Sequence, residues 1–378
     1  MNNKTNLVVG SGLSGATIAN LLAQKLKKKV ILLEKSSFLG GMCADYKKEN
    51  ITIQKFGSHI FHTNHKKVWD FLNEFSSFNS YIHQVEANLG DISCPLPFNF
   101  NSIEILFGKS FLNKILRKAK EYALPFEISI FDLKNLALKD EDFKIIYNYI
   151  YKNIFLNYSK KQWGEHFKTI DKEVFKRFPI RFSFENNFFN DEFQGMPKDG
   201  YSNLIFSMLQ DKNIEILLNC DFSAFKKENK NIFENYNIFF TGSIDEFFEY
   251  KYGILDYRSL EFEFFELEEK FFQKHACVNY PNEKDFTRIH EFKHFYPENT
   301  PKTQKTIIAK EFPRNFFQEK NERFYPILNK KNIEKYNIYK NLAKDYKNLY
   351  FLGRLGDYKY FNMDLAILNA LNLFESLK

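Results

Sequence analysis

Three glycines near the N-terminus have the spacing of a phosphate-binding turn. Gly10, Gly12 and Gly15 form G-x-G-x-x-G between an apolar segment at 5–9 and an Ala/Leu-rich segment that predicts a helix to about residue 26. Glycine here allows a tight turn, close approach of the backbone to a pyrophosphate, and close packing of helix on strand. The phosphates would then lie at the helix N-terminus.

Glu34 supports the same interpretation from the end of the next apolar segment, Val30–Leu33. It lies 19 residues after Gly15, where an acidic side chain can accept hydrogen bonds from an adenosine ribose. The alternative is a glycine-rich turn with a surface glutamate, which leaves the three glycine positions unexplained. The pattern therefore predicts a dinucleotide-binding β-α-β unit.

Two further features favour FAD over a nicotinamide cofactor. The Gly40–Gly41 pair follows soon after the acidic strand end, as it often does in flavin-binding chains. A predicted strand ending at Gly353 and a helix beginning near Met363 would direct a positive helix end at the flavin ring, which favours its anionic reduced form. A helix that merely closes the sheet is the alternative. The 15 glycines contain no second G-x-G-x-x-G, which disfavours a separate NAD(P)H domain.

Composition limits the class of protein. The 378 residues carry 54 basic and 47 acidic side chains, for a net charge of +7, and most of the basic side chains are lysines. Dispersed lysine mainly keeps a Phe-rich chain soluble, so nucleic-acid binding is the weaker interpretation. The four cysteines are far apart, without zinc or disulfide spacing, and no apolar run approaches the roughly 18 residues of a membrane span. These features predict a cytoplasmic protein without a structural metal.

The rest of the chain predicts two further kinds of structure. Apolar residues at helical spacing predict amphipathic helices over 101–152, whereas alternation predicts antiparallel strands over 158–193 and 255–311. Segments 237–242 and 349–376 look like returns to the first domain. We predict an α/β fold with a FAD-binding Rossmann-like domain (1–80, 196–245 and 330–378), an inserted helical domain (100–155) and an antiparallel β-sheet substrate domain (81–99, 156–195 and 246–329).

Candidate residues for a second ligand lie outside the glycine-rich turn. Arg181 and Arg288 each occur in an otherwise apolar strand, where burial is costly unless an anion is present, and two such arginines suit a diphosphate. Tyr158 and Trp163 are either core residues or an exposed stacking platform for a base. His59 and His62 lack a third metal ligand nearby, which makes sugar contacts the better interpretation.

Taken together, these motifs resemble the bacterial type of UDP-galactopyranose mutase. The resemblance runs from residue 6 to beyond 370 in consistent order, and its more specific segments are HIFHTN, KQWG, PIRFSF and GRLGDYKY. Such enzymes interconvert the pyranose and furanose forms of a nucleotide-linked galactose, with no net redox change, and need reduced FAD. The resemblance implies attack of flavin N5 on the anomeric carbon, departure of UDP, ring opening through a flavin iminium, and reclosure on the 4-hydroxyl.

The resemblance also assigns residues and a homodimeric state. Arg181, on a mobile loop, and Arg288 would hold the diphosphate, and both would be central to catalysis together with His59 and His62. The implied substrate-binding residues are Tyr158, Trp163, Arg181, Arg288, Tyr325, Tyr360 and Asn362. The implied cofactor-binding residues are Gly10, Ser11, Gly12, Leu13, Ser14, Gly15, Glu34, Lys35, Gly41, Met42, His59, Ile60, Gly353, Arg354 and Met363.

Departures from the family pattern leave the substrate open. Phe193 and Phe324 stand where tyrosine is common, Ser58 where Pro or Ala is usual, and Asn362 where Asp is common. UDP-N-acetylgalactosamine or a dTDP-deoxyhexose therefore stays an alternative to UDP-galactose. A flavin-dependent oxidase and a non-catalytic nucleotide-sugar binder are alternatives from other classes.

Overall fold

The computed structural model describes residues 4–171, 173, 175, 178–300 and 303–378. The chain divides into two compact units. The first unit comprises Met1–Tyr81, Asp191–Tyr257 and Arg323–Lys378, and the second comprises Ile82–Asn190 and Arg258–Glu322. The predicted helical segment and most of the predicted antiparallel segments thus fall in the same unit.

The chain begins with a strand-helix-strand unit, and its helices between residues 100 and 163 follow one another with a single two-residue strand among them. The strands of the described residues are β1 (Thr5–Val9), β2 (Val30–Leu33), β3 (Asp45–Lys48), β4 (Ile51–Gln54), β5 (Phe61–Thr63), β6 (Val85–Asn88), β7 (Ser93–Leu96), β8 (Glu127–Ile128), β9 (Ile180–Arg181), β10 (Phe193–Gly195), β11 (Ile214–Leu217), β12 (Tyr236–Phe240), β13 (Tyr257–Leu267), β14 (Cys277–Asn279), β15 (Arg288–Glu291), β16 (Thr306–Asn315), β17 (Tyr325–Pro326) and β18 (Leu349–Phe351). The helices are α1 (Leu13–Gln24), α2 (Lys66–Asn73), α3 (Phe100–Phe107), α4 (Lys109–Glu121), α5 (Ile130–Ala137), α6 (Glu141–Ile150), α7 (Asn157–Trp163), α8 (Tyr201–Met208), α9 (Phe222–Glu228), α10 (Ile232–Asn235), α11 (Ile244–Phe247), α12 (Lys330–Ala343), α13 (Gly353–Gly356) and α14 (Met363–Ser376). None of these described helices is long and apolar enough to cross a membrane.

The first unit is built around a five-stranded sheet in the order β11-β2-β1-β12-β18. Neighbouring strands in it are parallel, as expected when helices cover a sheet. Its core includes Leu7, Leu33 and Ile238, all fully buried. The predicted segments at 5–9, 30–33, 237–242 and 349–376 are confirmed as β1, β2, β12 and the β18-to-α14 region, and α1 packs against α14.

The second unit combines the predicted helices with a mixed sheet. Strands β13, β16, β15, β14, β6 and β7 follow one another across the sheet, and all neighbours are antiparallel except β14 and β6. The prediction of strands between 255 and 311 is confirmed. The register places Arg288 directly opposite Glu311.

The prediction of strands over 158–193 is wrong in its first part. Residues Asn157–Trp163 form α7, which continues from α6 through a π-helical turn at Tyr151–Leu156. The buried positions 158, 159, 162 and 163 in fact follow helical spacing. The high aromatic content was misleading because these rings pack between a helix and its neighbours rather than along a pleated strand.

Candidate functional site

The glycine-rich turn after β1 has the geometry that its spacing predicts. Gly10 has φ +99°, and a Cβ there would lie 2.1 Å from Thr241 Oγ1. A Cβ on Gly15 would lie 1.9 Å from the Gly10 carbonyl oxygen, whereas no atom of the described residues lies within 4 Å of a Cβ on Gly12. Gly10 and Gly15 thus serve the packing of the turn. Gly12 leaves open space at the N-terminus of α1, where backbone N–H groups could bind the phosphates of a cofactor.

Glu34 lies beside this turn, buried, with both carboxylate oxygens occupied. Oε2 accepts hydrogen bonds from Ser11 N (2.9 Å) and Ser11 Oγ (2.7 Å). Oε1 accepts from Ser36 N (2.9 Å) and Ser36 Oγ (2.6 Å). A carboxylate has about four lone-pair positions, so a ribose hydroxyl could bind Glu34 only after one serine hydroxyl has rotated away. The next residue, Lys35, is exposed.

Two later segments lie against the turn. A Cβ on Gly41 would be 3.1 Å from Gly12 Cα, and a Cβ on Gly353 would be 2.9 Å from Ser14 Oγ. Met363 begins α14, and its sulfur lies 3.6 Å from Cys43 Sγ. The structure therefore brings together predicted cofactor-binding residues from three parts of the chain, at 10–15, 41–42 and 353–363. The residues of the first two parts are Gly10, Ser11, Gly12, Leu13, Ser14, Gly15, Gly41 and Met42.

His62 is hydrogen-bonded to an acid that the sequence did not reveal. Its Nδ1 lies 2.8 Å from Asp191 Oδ2, and Asn64 donates to Asp191 Oδ1 at 3.0 Å. The hydrogen bond with His62 is the main cause that lowers the pKa of Asp191. His59 is held differently, with Nδ1 2.8 Å from the Gly57 carbonyl oxygen. Its neighbour Ile60 is buried in the core.

Tyr325 and Tyr360 form a parallel pair of rings in the first unit. Their centroids are 5.1 Å apart with an interplanar angle of 10°. The guanidinium carbon of Arg354 lies 5.4 Å from the Tyr325 centroid and 5.8 Å from the Tyr360 centroid. Asn362 is the N-cap residue of α14 and is partly buried.

In the second unit, Arg181 is 2% exposed and has its own anionic partner. Nε donates to Glu127 Oε2 at 3.0 Å, while Nη1 and Nη2 donate to the carbonyl oxygens of Asn187 and Phe188. Glu127 stands opposite Arg181 in the β8–β9 pair. The argument that burial of this arginine requires a ligand anion is therefore wrong, because a protein carboxylate already balances the charge.

Arg288 is part of a buried polar cluster. Its Nε lies 3.2 Å from Glu311 Oε1 and its Nη2 donates to the Tyr158 hydroxyl. His290 Nε2 lies 3.0 Å from Glu311 Oε2. Burial would raise the pKa of Glu311, but the charge of Arg288 and the hydrogen bond with His290 outweigh it and lower that pKa to about 2. Burial raises the pKa of Tyr158 to about 12, so this hydroxyl stays neutral.

Tyr158 and Trp163 do not form an exposed platform. Their exposed fractions are 5% and 2%, because α7 directs them into the unit and packs against β16. Trp163 is therefore a core residue. Tyr158 is also buried, but its hydroxyl accepts a hydrogen bond from Arg288.

Sequence reasoning missed Glu127, Asp191 and Glu311. Glu311 carried a weak signal, since it is a charged residue within the apolar run TIIAKEF. In the part of the chain that the structure describes, no group of three His, Cys, Asp or Glu side chains could hold a metal ion.

The parallel sheet with its glycine-rich turn defines a dinucleotide-binding α/β protein, and residues 8–75 match the NAD(P)-binding Rossmann-like domain. Residues 153–360 match the UDP-galactopyranose mutase family. The chain belongs to that family. It is therefore a mutase-type isomerase that acts on a nucleotide sugar, and the family together with the Rossmann-like domain implies a flavin cofactor.

Full-length relatives support the same assignment. The chain is 35% identical to dTDP-fucopyranose mutase of Escherichia coli, over 97% of this chain and 96% of that protein. It is 33% identical to UDP-galactopyranose mutase of Mycoplasma genitalium, over 98% and 94% of the two chains. The crystal structure of reduced UDP-galactopyranose mutase superposes with a TM-score of 0.71 at 14% identity, over 99% of this chain and 95% of that one. This last likeness concerns the fold.

Proposed function

We propose that this protein is an FAD-dependent isomerase that interconverts UDP-galactopyranose and UDP-galactofuranose without net redox change. Its family and full-length relatives support the reaction class. The observation that carries the cofactor assignment is the open space at Gly12, bordered by Gly41 at the N-terminus of α1. An uncharged first helical turn keeps the positive end of α1 available for a pyrophosphate.

The residues of the first unit would hold the cofactor and position a proton-transfer group. When bound, reduced FAD would supply the nucleophile, N5, for the anomeric carbon. Gly12 and Gly41 would accommodate its pyrophosphate, and Glu34 its adenosine ribose. Asp191 holds His62 through Nδ1, so the lone pair of the neutral ring is on Nε2, where it can take part in proton transfer to and from sugar hydroxyls.

Charge placement is the proposed contribution of the arginines. Arg288 would bind the diphosphate with a guanidinium oriented by Glu311 and Tyr158. Arg181 would contribute less, because its side chain is 2% exposed whereas that of Arg288 is 28% exposed. The hydroxyls of Tyr325 and Tyr360 would donate hydrogen bonds to the substrate. His59 and Asn362 would contact the flavin and the sugar.

The likeness to dTDP-fucopyranose mutase favours a second candidate, the same ring contraction on a dTDP-deoxyhexose. The family departures at Phe193 and Phe324 agree with a changed substrate. The Phe193 ring stacks on Trp69 with centroids 5.3 Å apart, and Phe324 is buried. In this chain, both phenylalanine rings therefore pack against the protein and carry no hydroxyl that could contact a substrate.

Chromatography of nucleotide sugars tests the proposal. The purified protein would be incubated with UDP-galactofuranose, and in parallel with UDP-N-acetylgalactosamine and dTDP-fucopyranose, each with and without dithionite. Conversion of UDP-galactofuranose only after reduction supports the proposed reaction and its redox state. Preferential conversion of dTDP-fucopyranose would establish the second candidate instead.

Two additional measurements cover the remaining alternatives. Oxygen consumption on addition of candidate amines would indicate an oxidase. Bound, reducible FAD with no conversion of any of the three sugars would contradict a mutase. We also propose a homodimer in the cytoplasm, and light scattering of the purified protein would test the dimer.

A further inference from the structure

Arg354 connects two separate segments of the first unit. It lies in α13, the single helical turn after β18. Its Nε and Nη2 donate to the Phe361 carbonyl oxygen at 3.0 and 2.6 Å, and its Nη1 donates to the Phe324 carbonyl oxygen at 3.1 Å. All three guanidinium nitrogens therefore bind backbone oxygens.

Both carbonyl groups belong to residues adjacent to the stacked tyrosines. Phe324 precedes Tyr325, and Phe361 follows Tyr360. The guanidinium also lies within 6 Å of both ring centroids, at 5.4 and 5.8 Å, a distance at which a cation is attracted to an aromatic ring. One side chain thus fixes the backbone of both tyrosines and contacts both rings.

We expect the contact with Arg354 to matter more for the position of Tyr360 than for the position of Tyr325. Tyr325 belongs to β17, whereas Tyr360 lies in the segment between α13 and α14, outside helix and strand. This segment is attached through the Lys359 N–H to the Arg354 carbonyl oxygen and through the Tyr358 hydroxyl to the carbonyl oxygens of Asp256 and Ile327. These bonds fix residues before Tyr360. The residue after it, Phe361, is held by the Arg354 side chain through its carbonyl oxygen and by its own N–H, which donates to the Lys359 carbonyl oxygen at 2.9 Å.

We propose that Arg354 is a positioning residue for substrate binding, which orders the Tyr325–Tyr360 pair so that both hydroxyls can meet the diphosphate. This inference rests on the proposed function, and it differs from the cofactor contact that the family resemblance assigns to Arg354. A planar guanidinium can bridge two carbonyl oxygens and face two rings, whereas a lysine ammonium is a single donor centre on a flexible stem. Arg354→Lys should therefore fail to restore what Arg354→Ala loses.

The test compares Arg354→Ala and Arg354→Lys with the wild-type holoenzyme. Calorimetry would measure the Kd of UDP, absorbance the flavin content per chain, and steady-state assays kcat and KM. We expect unchanged flavin content, a Kd for UDP and a KM at least tenfold higher in both variants, and a smaller effect on kcat. Added methylguanidinium should partly restore UDP binding to Arg354→Ala. Loss of flavin with unchanged UDP affinity would instead assign Arg354 to the cofactor.

Two controls separate positioning from a general structural effect. Arg323→Lys keeps an amine beside Glu246, one of the present partners of Arg323, at 2.8 Å, and should leave UDP affinity within about twofold. In a double-mutant cycle, Arg354→Ala should add little to the loss already caused by Tyr325→Phe with Tyr360→Phe, because the arginine acts through these hydroxyls. Full additivity would overturn the proposal.

A crystal structure of Arg354→Ala tests the inference independently of activity. The tyrosine rings should separate from their 5.1 Å stacking, or residues 359–362 should become disordered. An unchanged ring pair would refute the inference even if the protein proves to be a mutase. Conversely, a displaced pair in a protein that binds neither UDP nor dTDP would support the ordering by Arg354 and refute the proposed substrate.

Discussion

Arg288 and Glu311 face each other across antiparallel strands β15 and β16, with Arg288 Nε 3.2 Å from Glu311 Oε1. The second oxygen of the same carboxylate binds His290 at 3.0 Å. Glu311 is 3% exposed, so its charge has little access to water and depends on these partners. Its carboxylate thereby orients the arginine that we propose as a diphosphate ligand.

Glu311→Gln should damage both stability and substrate binding. Removing one member of a buried ion pair costs about 3–5 kcal/mol, and the freed Arg288 should raise KM for the nucleotide sugar at least tenfold. Urea unfolding and steady-state kinetics would measure the two effects. Because the pKa of Glu311 is lowered to about 2, its contribution to stability is present above about pH 4.5 and is lost as the pH falls toward 2. A variant that is less stable but has normal KM would contradict the orienting role.

Arg288→Ala should remove most of the turnover, with kcat/KM lower by roughly 30- to 1,000-fold, while flavin stays bound. Loss of a charge-assisted phosphate contact should cost on the order of 2–4 kcal/mol of transition-state binding. Arg314→Ala is the matched control, since Arg314 lies in the same sheet, is 46% exposed and pairs with the exposed Glu261. The control should keep kcat/KM within about twofold. Near-normal kcat/KM in Arg288→Ala would remove this residue from the site.

Gly12→Ala and Gly15→Ala should have opposite consequences. A methyl group on Gly12 meets no atom within 4 Å in the part of the chain that the structure describes, so this variant should fold normally. It should lose FAD, because the methyl group occupies the proposed pyrophosphate space. A methyl group on Gly15 would be 1.9 Å from the Gly10 carbonyl oxygen, so that variant should unfold more readily. Thermal melts and flavin absorbance would separate the two. Full flavin content in Gly12→Ala would contradict the proposed pyrophosphate position.

Asp191→Asn should slow turnover with a small change in structure. The amide can still accept a hydrogen bond from His62 Nδ1, but it lacks the charge that stabilises a protonated ring during proton transfer. The pKa of Asp191 is lowered, mainly by its bond with His62, so its stabilising effect is present above its unfolded pKa and fades as the pH falls below about 4. We expect kcat to fall at least tenfold and stability at pH 7 to fall by about 1 kcal/mol. Unchanged kcat would show that the pair serves only to join β5 to the segment that precedes β10.

The sequence predicted the candidate site best where the residues concerned are close together along the chain. The Gly10–Gly15 turn was predicted because the steric demands of a phosphate turn are met within a few residues. The position of Glu34 directly after β2 and the β18-to-α14 region were also predicted, whereas binding of a ribose by Glu34 stays a prediction. The partners of the arginines were not predicted. Glu127 lies 54 residues from Arg181, and only the register of β8 and β9 brings the two together. For α7, the aromatic residues of YSKKQW gave the wrong secondary structure, since their burial depends on the helix that precedes them.

The dependence of stability on pH that we expect from Asp357 has the opposite sign to that expected from Glu311. Burial raises its pKa to about 6, although Lys359, Lys340 and a hydrogen bond with Asn369 oppose the rise. Its buried Oδ2 has no hydrogen-bond partner among the described residues. Since the folded state holds this proton more tightly, the stabilising effect is complete below about pH 4 and is lost as the pH rises through about 6.

Asp357→Asn imitates the protonated carboxyl and should therefore stabilise the protein at high pH. We expect its free energy of unfolding to exceed that of the wild type by about 1–3 kcal/mol at pH 8 and to equal it at pH 4. Urea unfolding across this range would measure the difference, with the exposed Asp345→Asn as a control for loss of charge. A destabilised Asp357→Asn at pH 8 would mean that the carboxylate has a favourable partner in solution, because only such a partner would make the charged form the better one.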